Sequence, residues 1–239
     1  MTLVLVVDDQ DLVRAGLAAL LRAAPNGYRV TEASDGLEAV RLAAELSPEV
    51  ILMDIRMPGM DGITAIQQIL AEAEKAEREL PRILVLTTFD LDEHVHKALH
   101  AGASGFLVKS TPAARLFAAV DAVAAGDMAF TPEITRRLVE AFQQKHDATA
   151  SAKAHESSLA RPAAVPRRSA EDLTSRELDV VRMVGTGLSN ADIAAELMLA
   201  EATVKTHIYR VMTKLNLASR AQVVVYAYET GLVKPGGRL

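Results

Sequence analysis

The sequence predicts an α/β protein, a doubly wound five-stranded parallel sheet followed by a small all-α domain. Three observations predict it. Five short apolar runs alternate with five helical patterns across residues 1–125. A stretch at 143–170, rich in Ala, Ser, Lys, Arg and Pro, holds few large apolar residues. Residues 171–234 show helical patterning only, in four short segments. A chain of 239 residues is long enough for two domains, each with its own core.

The first apolar run is Leu3, Val4, Leu5, Val6 and Val7. It is apolar on both faces, as a strand covered on both sides requires. Runs at 28–33, 50–53, 83–86 and 105–108 follow it. Between them, residues 12–23, 37–46, 63–80, 93–101 and 113–125 repeat apolar side chains near every third or fourth position. Turn residues fall at the joins: Pro25-Asn26-Gly27, Pro58-Gly59 and Gly102. Asp61 and Gly62 also read as turn residues, without chemistry. The charged run 72–79 reads as a solvated face of the third helix with i,i+4 pairs. Asp92 and Glu93 read as acids capping the next helix at its positive end. A helical extension trails to about residue 142. Residues 143–170 carry five bases against two acids and read as a flexible linker.

The second domain opens at residue 171. Thr174 is a plausible N-cap, and Glu177, three residues on, completes a capping box. That helix stops at Gly185-Thr186-Gly187, a second begins after Ser189, a third runs from about 202 to 215, and a last spans 218–230.

Composition removes several function classes. With no Cys there is no disulfide framework, thiolate zinc site or thiol nucleophile. No apolar run approaches the roughly 18 residues of a membrane span, and the first nine residues lack the basic start of a signal peptide. Aromatics are 4% with no Trp, which disfavours base-stacking platforms for single strands. The net charge of −5 is uneven: residues 1–142 carry −8 and residues 143–239 carry +3. An acidic front and a mildly basic back suggest different partners. Residues 171–239 hold eight bases and eight acids, so any attraction of that domain for DNA is local to one face.

In a parallel sheet, ligands bind beyond the carboxyl ends of the strands. There the first strand runs into Asp8-Asp9, the third into Asp54, the fourth into Thr87-Thr88 and the fifth into Lys109. Three converging carboxylates call for a hard cation, and oxygen ligands of this kind suit Mg²⁺. Lys109 adds a charge able to meet a phosphoryl group. An Asp beside a metal can itself be the nucleophile, giving an acyl phosphate, with cation and ammonium stabilising the transferring oxygens.

Residues 1–125 resemble the receiver domain of bacterial two-component response regulators, a flavodoxin-like fold. The matching pieces are Val6-Val7-Asp8-Asp9, the run from Leu52 through Asp54 to Gly62, Leu86-Thr87, and the run from Gly102 to Lys109. The resemblance implies that Asp54 accepts a phosphoryl group from a sensor histidine kinase. It implies Asp9, Asp54 and the backbone carbonyl of Arg56 as Mg²⁺ ligands, with Asp8 assisting through water. Thr87 and Lys109 then bind the phosphate. Phe106 stands at the aromatic switch position, where a ring turns inward when Thr87 engages; Phe keeps the ring and lacks the hydroxyl of the Tyr often found there.

In the third helix of the tail, Val204, Ile208, Val211 and Leu215 fall within about 60° on a helical wheel. The opposite face carries Thr206, Tyr209, Arg210 and Thr213, flanked by Lys205 and Lys214. From 203 to 215 there are three bases and no acid. A short helix, a tight turn and a helix with a cationic outer face suit insertion into a major groove. Leu173-Thr174-Ser175-Arg176-Glu177, the run from Gly187 to Ala194, and the run from Glu201 to Ile208 resemble the LuxR-type helix-turn-helix across 171–234.

The whole chain therefore resembles a NarL/FixJ-family response regulator: receiver 1–125, linker 143–170, helix-turn-helix domain 171–239. The resemblance implies a cytoplasmic transcriptional regulator that is not an enzyme beyond its own phosphorylation and slow dephosphorylation. Thr203, Lys205, Thr206, Tyr209, Arg210 and Lys214 are its expected contacts to a double-stranded operator. The last helix is the expected homodimer contact of the phosphorylated or DNA-bound form. One position departs from the family pattern, and the sequence bears on one rival reading. Ala200 stands where the family places a capping Ser or Thr, and His207 reads as a packing residue. A phosphohydrolase working through an aspartyl phosphate needs a second acid two residues after its nucleophile, where this chain has Arg56.

Overall fold

The computed structural model describes residues 1–25, 27–87, 92–129 and 172–233, with side chains in the fourth helix from residue 97 onward. It contains two compact units, one built around a sheet and one built from the C-terminal helices. The linker at 143–170, the extension from 130 to 142, Thr88 and the Glu93 side chain lie outside the described residues.

The first unit alternates strand and helix in the order β1 (Leu3–Val7), α1 (Asp11–Arg22), β2 (Arg29–Ala33), α2 (Gly36–Leu46), β3 (Val50–Asp54), α3 (Gly62–Lys75), β4 (Arg82–Thr87), α4 (Asp92–Ala101), β5 (Gly105–Val108) and α5 (Ala113–Ala124). The strands pair in parallel in the order β2-β1-β3-β4-β5. Period-two alternation divides each strand between two cores. Val4, Val6, Leu52, Leu84, Leu86 and Leu107 join Leu17 and Leu21 of α1 and Leu116, Val120 and Val123 of α5. Leu5, Val7, Ile51, Met53, Ile83 and Val85, buried as well, point to the opposite face. Burial on both faces is the reason the strands read as unbroken apolar runs. Chain order reverses beside β1, which has β2 on one side and β3 on the other, and a crevice opens at such a switch point beyond the strand ends.

The structure ends α3 earlier than expected and shifts the end of α5 and the start of β2 by one residue each. α3 ends at Lys75, not residue 80, because Glu77 adopts a left-handed conformation (φ 53°) and Arg78 N–H closes back on the Ala73 carbonyl. Arg78, expected on a solvated helix face, instead donates to the carbonyls of Ala43 and Ala44 at the end of α2, at 3.2 and 3.1 Å. A guanidinium there offsets the negative end of α2. α5 ends at Ala124, one residue before its expected end. Gly126 (φ 88°) stops it, and Ala129 bridges to Gly105 of β5, its carbonyl accepting from Phe106 N–H at 2.7 Å. β2 starts at Arg29, while Tyr28 is buried and its hydroxyl donates to Asp121 of α5 at 2.7 Å.

The second unit comprises α6 (Ser175–Gly185), α7 (Asn190–Leu197), α8 (Glu201–Leu215) and α9 (Arg220–Glu229). Val180, Val181, Val184, Ile193, Val204, Ile208, Val211, Leu215, Tyr226 and Ala227 share one core. α6 opens with the expected capping box between Thr174 and Glu177, and α7 with a second between Ser189 and Asp192. Arg176 of α6 donates to the Leu197 carbonyl at the end of α7, 2.9 Å away. Among the described residues, no helix is long and apolar enough to cross a membrane.

α8 starts without a side-chain cap, since Ala200 offers none. Ala200 nevertheless has extended backbone geometry (φ −76°, ψ 145°), which a capping serine would share. Thr203 N–H already donates to the Ala200 carbonyl at 2.9 Å, so a hydroxyl would relieve only part of the deficit. Ala200→Ser is therefore expected to stabilise this unit by ~0.5 kcal/mol, the low end for a cap. Urea denaturation checks it; an unchanged midpoint would mean that the missing cap costs nothing.

Candidate functional site

The crevice beyond β1 and β3 is lined by Asp8, Asp9 and Asp54, one carboxylate oxygen of each lying within 4.8 Å of the others. Asp8 and Asp54 are buried, Asp9 partly so. Lys109, just past β5, reaches in: its Nζ is 2.7 Å from Asp8 Oδ2 and 2.8 Å from Asp54 Oδ2. Gln10 N–H donates to Asp8 Oδ1 at 2.9 Å, and Arg56 N–H donates to the Asp54 carboxylate. Thr87 is buried at the end of β4, and its carbonyl accepts from Lys109 N–H at 2.9 Å. One strand end thus fixes both the hydroxyl and the root of the ammonium. Phe106 is fully buried on β5, opposite Val85. The Arg56 side chain is exposed.

Burial pushes the Asp54 carboxyl above the ordinary carboxylate range, although Lys109 and the Arg56 amide pull the other way. Burial also works against the Lys109 charge, but the carboxylates of Asp54 and Asp8 outweigh it and hold the ammonium above its ordinary value. Three carboxylates against one ammonium leave two negative charges uncompensated. In addition, Asp9 Oδ1 is buried with no hydrogen-bond partner among the described residues. An orphaned carboxylate oxygen in a site two charges short fits a hard divalent cation of the Mg²⁺ type.

Two supporting residues escaped the sequence reading. Asp61 and Gly62, taken as turn residues, start α3: Asp61 caps it by accepting from Thr64 N–H at 2.8 Å. Gly62 lies so close to β3 that a Cβ would stand 2.0 Å from the Asp54 carbonyl oxygen. The missing side chain lets the helix seat directly under Asp54. An Asp followed at the third position by Thr is a capping pattern that could have been read; the close approach could not.

On α8, Thr203, Lys205, Thr206, Tyr209 and Arg210 are all exposed, Tyr209 at 68%. Val204, Ile208, Val211 and Leu215 are buried behind them. Thr206 Oγ1 donates to the Ala202 carbonyl at 2.9 Å, so outward it offers only acceptor lone pairs. His207 is half-buried. Lys214 departs from the expected DNA face. Its Nζ lies 2.7 Å from Glu177 Oε2, the same oxygen that accepts from Thr174 N–H and Oγ1. A buried carboxylate draws the ammonium inward, which the helical wheel alone could not register.

The fold and the acidic pocket define a receiver, and the second unit a helix-turn-helix. The family description "Response regulator receiver domain" matches residues 4–121, and "Bacterial regulatory proteins, luxR family" matches residues 171–227. The chain belongs to the two-component response regulators with a LuxR-type DNA-binding domain. Among its relatives, the transcriptional regulatory protein LiaR of Bacillus subtilis is 39% identical, over 96% of this chain and 98% of that protein. The response regulator protein VraR of Staphylococcus aureus is 32% identical, over 97% and 98%. A solved LuxR-family two-component response regulator from Aurantimonas sp. SI85-9A1 aligns with a TM-score of 0.53 and 36% identity, covering 59% of this chain and 96% of that one.

Proposed function

We propose that this chain is a cytoplasmic transcriptional regulator whose operator binding is controlled by phosphorylation of Asp54 by a sensor histidine kinase. The observation that carries the reading is the position of Asp54: 2.8 Å from the Lys109 ammonium and grouped with Asp8 and Asp9 at the open edge of the sheet.

An Asp54 carboxylate oxygen attacks phosphorus, a P–O bond replaces the P–N bond of the donor phosphohistidine, and imidazole leaves. Lys109 moves from the carboxylate onto a phosphoryl oxygen, and the Thr87 hydroxyl donates to another. Asp9, Asp54 and the Arg56 carbonyl would hold Mg²⁺, with Asp8 assisting through water; the ion supplies charge neutralisation during transfer. Closing Thr87 onto the phosphate changes the space over Phe106 and shifts a pre-existing equilibrium towards a homodimer. Two α8 helices then meet half-sites about one helical turn apart, through Thr203, Lys205, Thr206, Tyr209 and Arg210. An exposed Arg56 stands two residues after Asp54, where a phosphohydrolase of the aspartyl-phosphate type carries its second acid, which favours a switch over turnover on external substrates.

Binding sites selected from random duplex DNA supply the probe. Gel shifts on the selected duplex, with and without acetyl phosphate and MgCl₂, are expected to show at least tenfold tighter binding by the phosphorylated chain. Equal affinity in the two arms would sink phosphorylation control while leaving DNA binding intact.

A further inference from the structure

We infer that Arg14 of α1 is a positioning residue for the cation site, holding the Asp8–Asp9 peptide in the orientation that aims Asp9 into the pocket. The inference rests on the proposed role of the acidic pocket as a divalent-cation site.

Arg14 Nη1 donates to the Asp8 carbonyl at 2.6 Å, Nη2 to Asp11 Oδ1, and Nε lies 3.8 Å from Glu32 Oε2 on β2. Glu32 is itself held by Arg22 at 2.9 Å. The guanidinium is thus braced by two carboxylates, and its remaining edge points at one backbone carbonyl. Its side chain is only 15% exposed. A cation in the first turn of a helix opposes the helix dipole, so helix stability does not account for Arg at this position. The carbonyl it holds belongs to the peptide that joins two of the three pocket acids.

The remaining bonds of this segment span Asp9 without holding the peptide before it, which Arg14 grips. Gln10 N–H and Lys109 fix the two oxygens of the Asp8 side chain. Asp9 Oδ1 has no partner among the described residues, so the backbone on either side of Asp9 and its own side-chain torsions set where that oxygen points, and Arg14 holds the peptide on the N-terminal side. Rotation of the Asp8 carbonyl would turn Asp9 with it. A planar fork can donate to two acceptors at once while its third edge lies beside a carboxylate, which a lysine ammonium on a flexible stem cannot do in the same geometry.

The sign of one measurement separates positioning from charge. Arg14 is a cation near the pocket, so on charge alone its removal tightens binding of Mg²⁺. On positioning grounds removal weakens it. MgCl₂ titrations of the full chain, followed through backbone amide signals, are expected to give a Kd raised about tenfold by Arg14→Ala, with Arg14→Lys weakened too. Thermal unfolding in EDTA reports folding separately, and amide signals of the α5 face outside the pocket check that each variant stays native. Weakening of threefold or more by both variants, in chains that are native by these signals, supports the inference. A smaller change, tighter binding, or full rescue by Lys overturns it. If the wild-type chain shows no saturable Mg²⁺ binding, the cation site itself is wrong and the inference falls with it.

Discussion

A chain carrying Asp54→Asn is expected to take up no phosphoryl group from acetyl phosphate and MgCl₂, while unfolding at a temperature no lower than wild type. The two expectations have different origins. Asn keeps the shape of Asp and loses the anionic oxygen that forms the acyl phosphate, so the chemistry stops. Stability should survive because Asp54 is 95% buried and burial already resists its charge. The amide removes that strain, and Lys109 keeps a partner in Asp8 at 2.7 Å. Intact-mass spectrometry reads the phosphoryl group, and circular dichroism reads unfolding. Undiminished incorporation would move the phosphoacceptor to another residue.

Lys214→Met is expected to destabilise the C-terminal unit by about 3 kcal/mol, by stranding a buried carboxylate. That is the low end for a broken buried pair, because the Lys214 side chain is 36% exposed and Glu177 keeps its Thr174 donors. For so small a unit the melting midpoint should fall by on the order of 15 °C. Acid supplies an independent check. Burial works against the Glu177 charge, but the Lys214 ammonium and the Thr174 hydrogen bonds outweigh it, so its carboxyl sits below the ordinary value of 4.5. A depressed carboxylate contributes its full stabilisation above its unfolded pKa and loses it as pH falls through the folded one. Wild type should therefore lose stability on acidification below about pH 5, and the variant should lose less. In DNA binding, the salt slope of the variant should match wild type, since an internal ion pair releases no counterion; a phosphate contact would lower the slope by about 0.9. A lowered slope with unchanged stability would return Lys214 to the DNA face.

Much of the pocket was legible because a parallel sheet converts order along the chain into position. Asp8, Asp54, Thr87 and Lys109 each follow an apolar run, and a strand too apolar to face water on either side has to be central. The outward face of α8 was legible for a similar reason, since Val204, Ile208, Val211 and Leu215 recur at the helical period and orient everything between them. The early end of α3 was hidden in a run of good helix formers, where only the left-handed turn at Glu77 marks the stop. Arg78 looked like one more solvated charge until α2 stood beside it.

What the sequence determined by itself, then, is the alternation of strand and helix, the acids and the base at the strand ends, the capping box of Thr174 and Glu177, and the buried stripe of α8. These depend on periodicity and on neighbours a few residues away. Tertiary structure alone decided that Lys214 turns to Glu177, 37 residues distant in the chain, that Gly62 must lack a side chain beneath the Asp54 carbonyl, and that Arg14 grips the carbonyl between two pocket acids. Each depends on which backbone comes close to which. Hydrogen bonds and steric contacts act over about 3 Å, and a one-dimensional pattern carries no measure of that distance between remote residues.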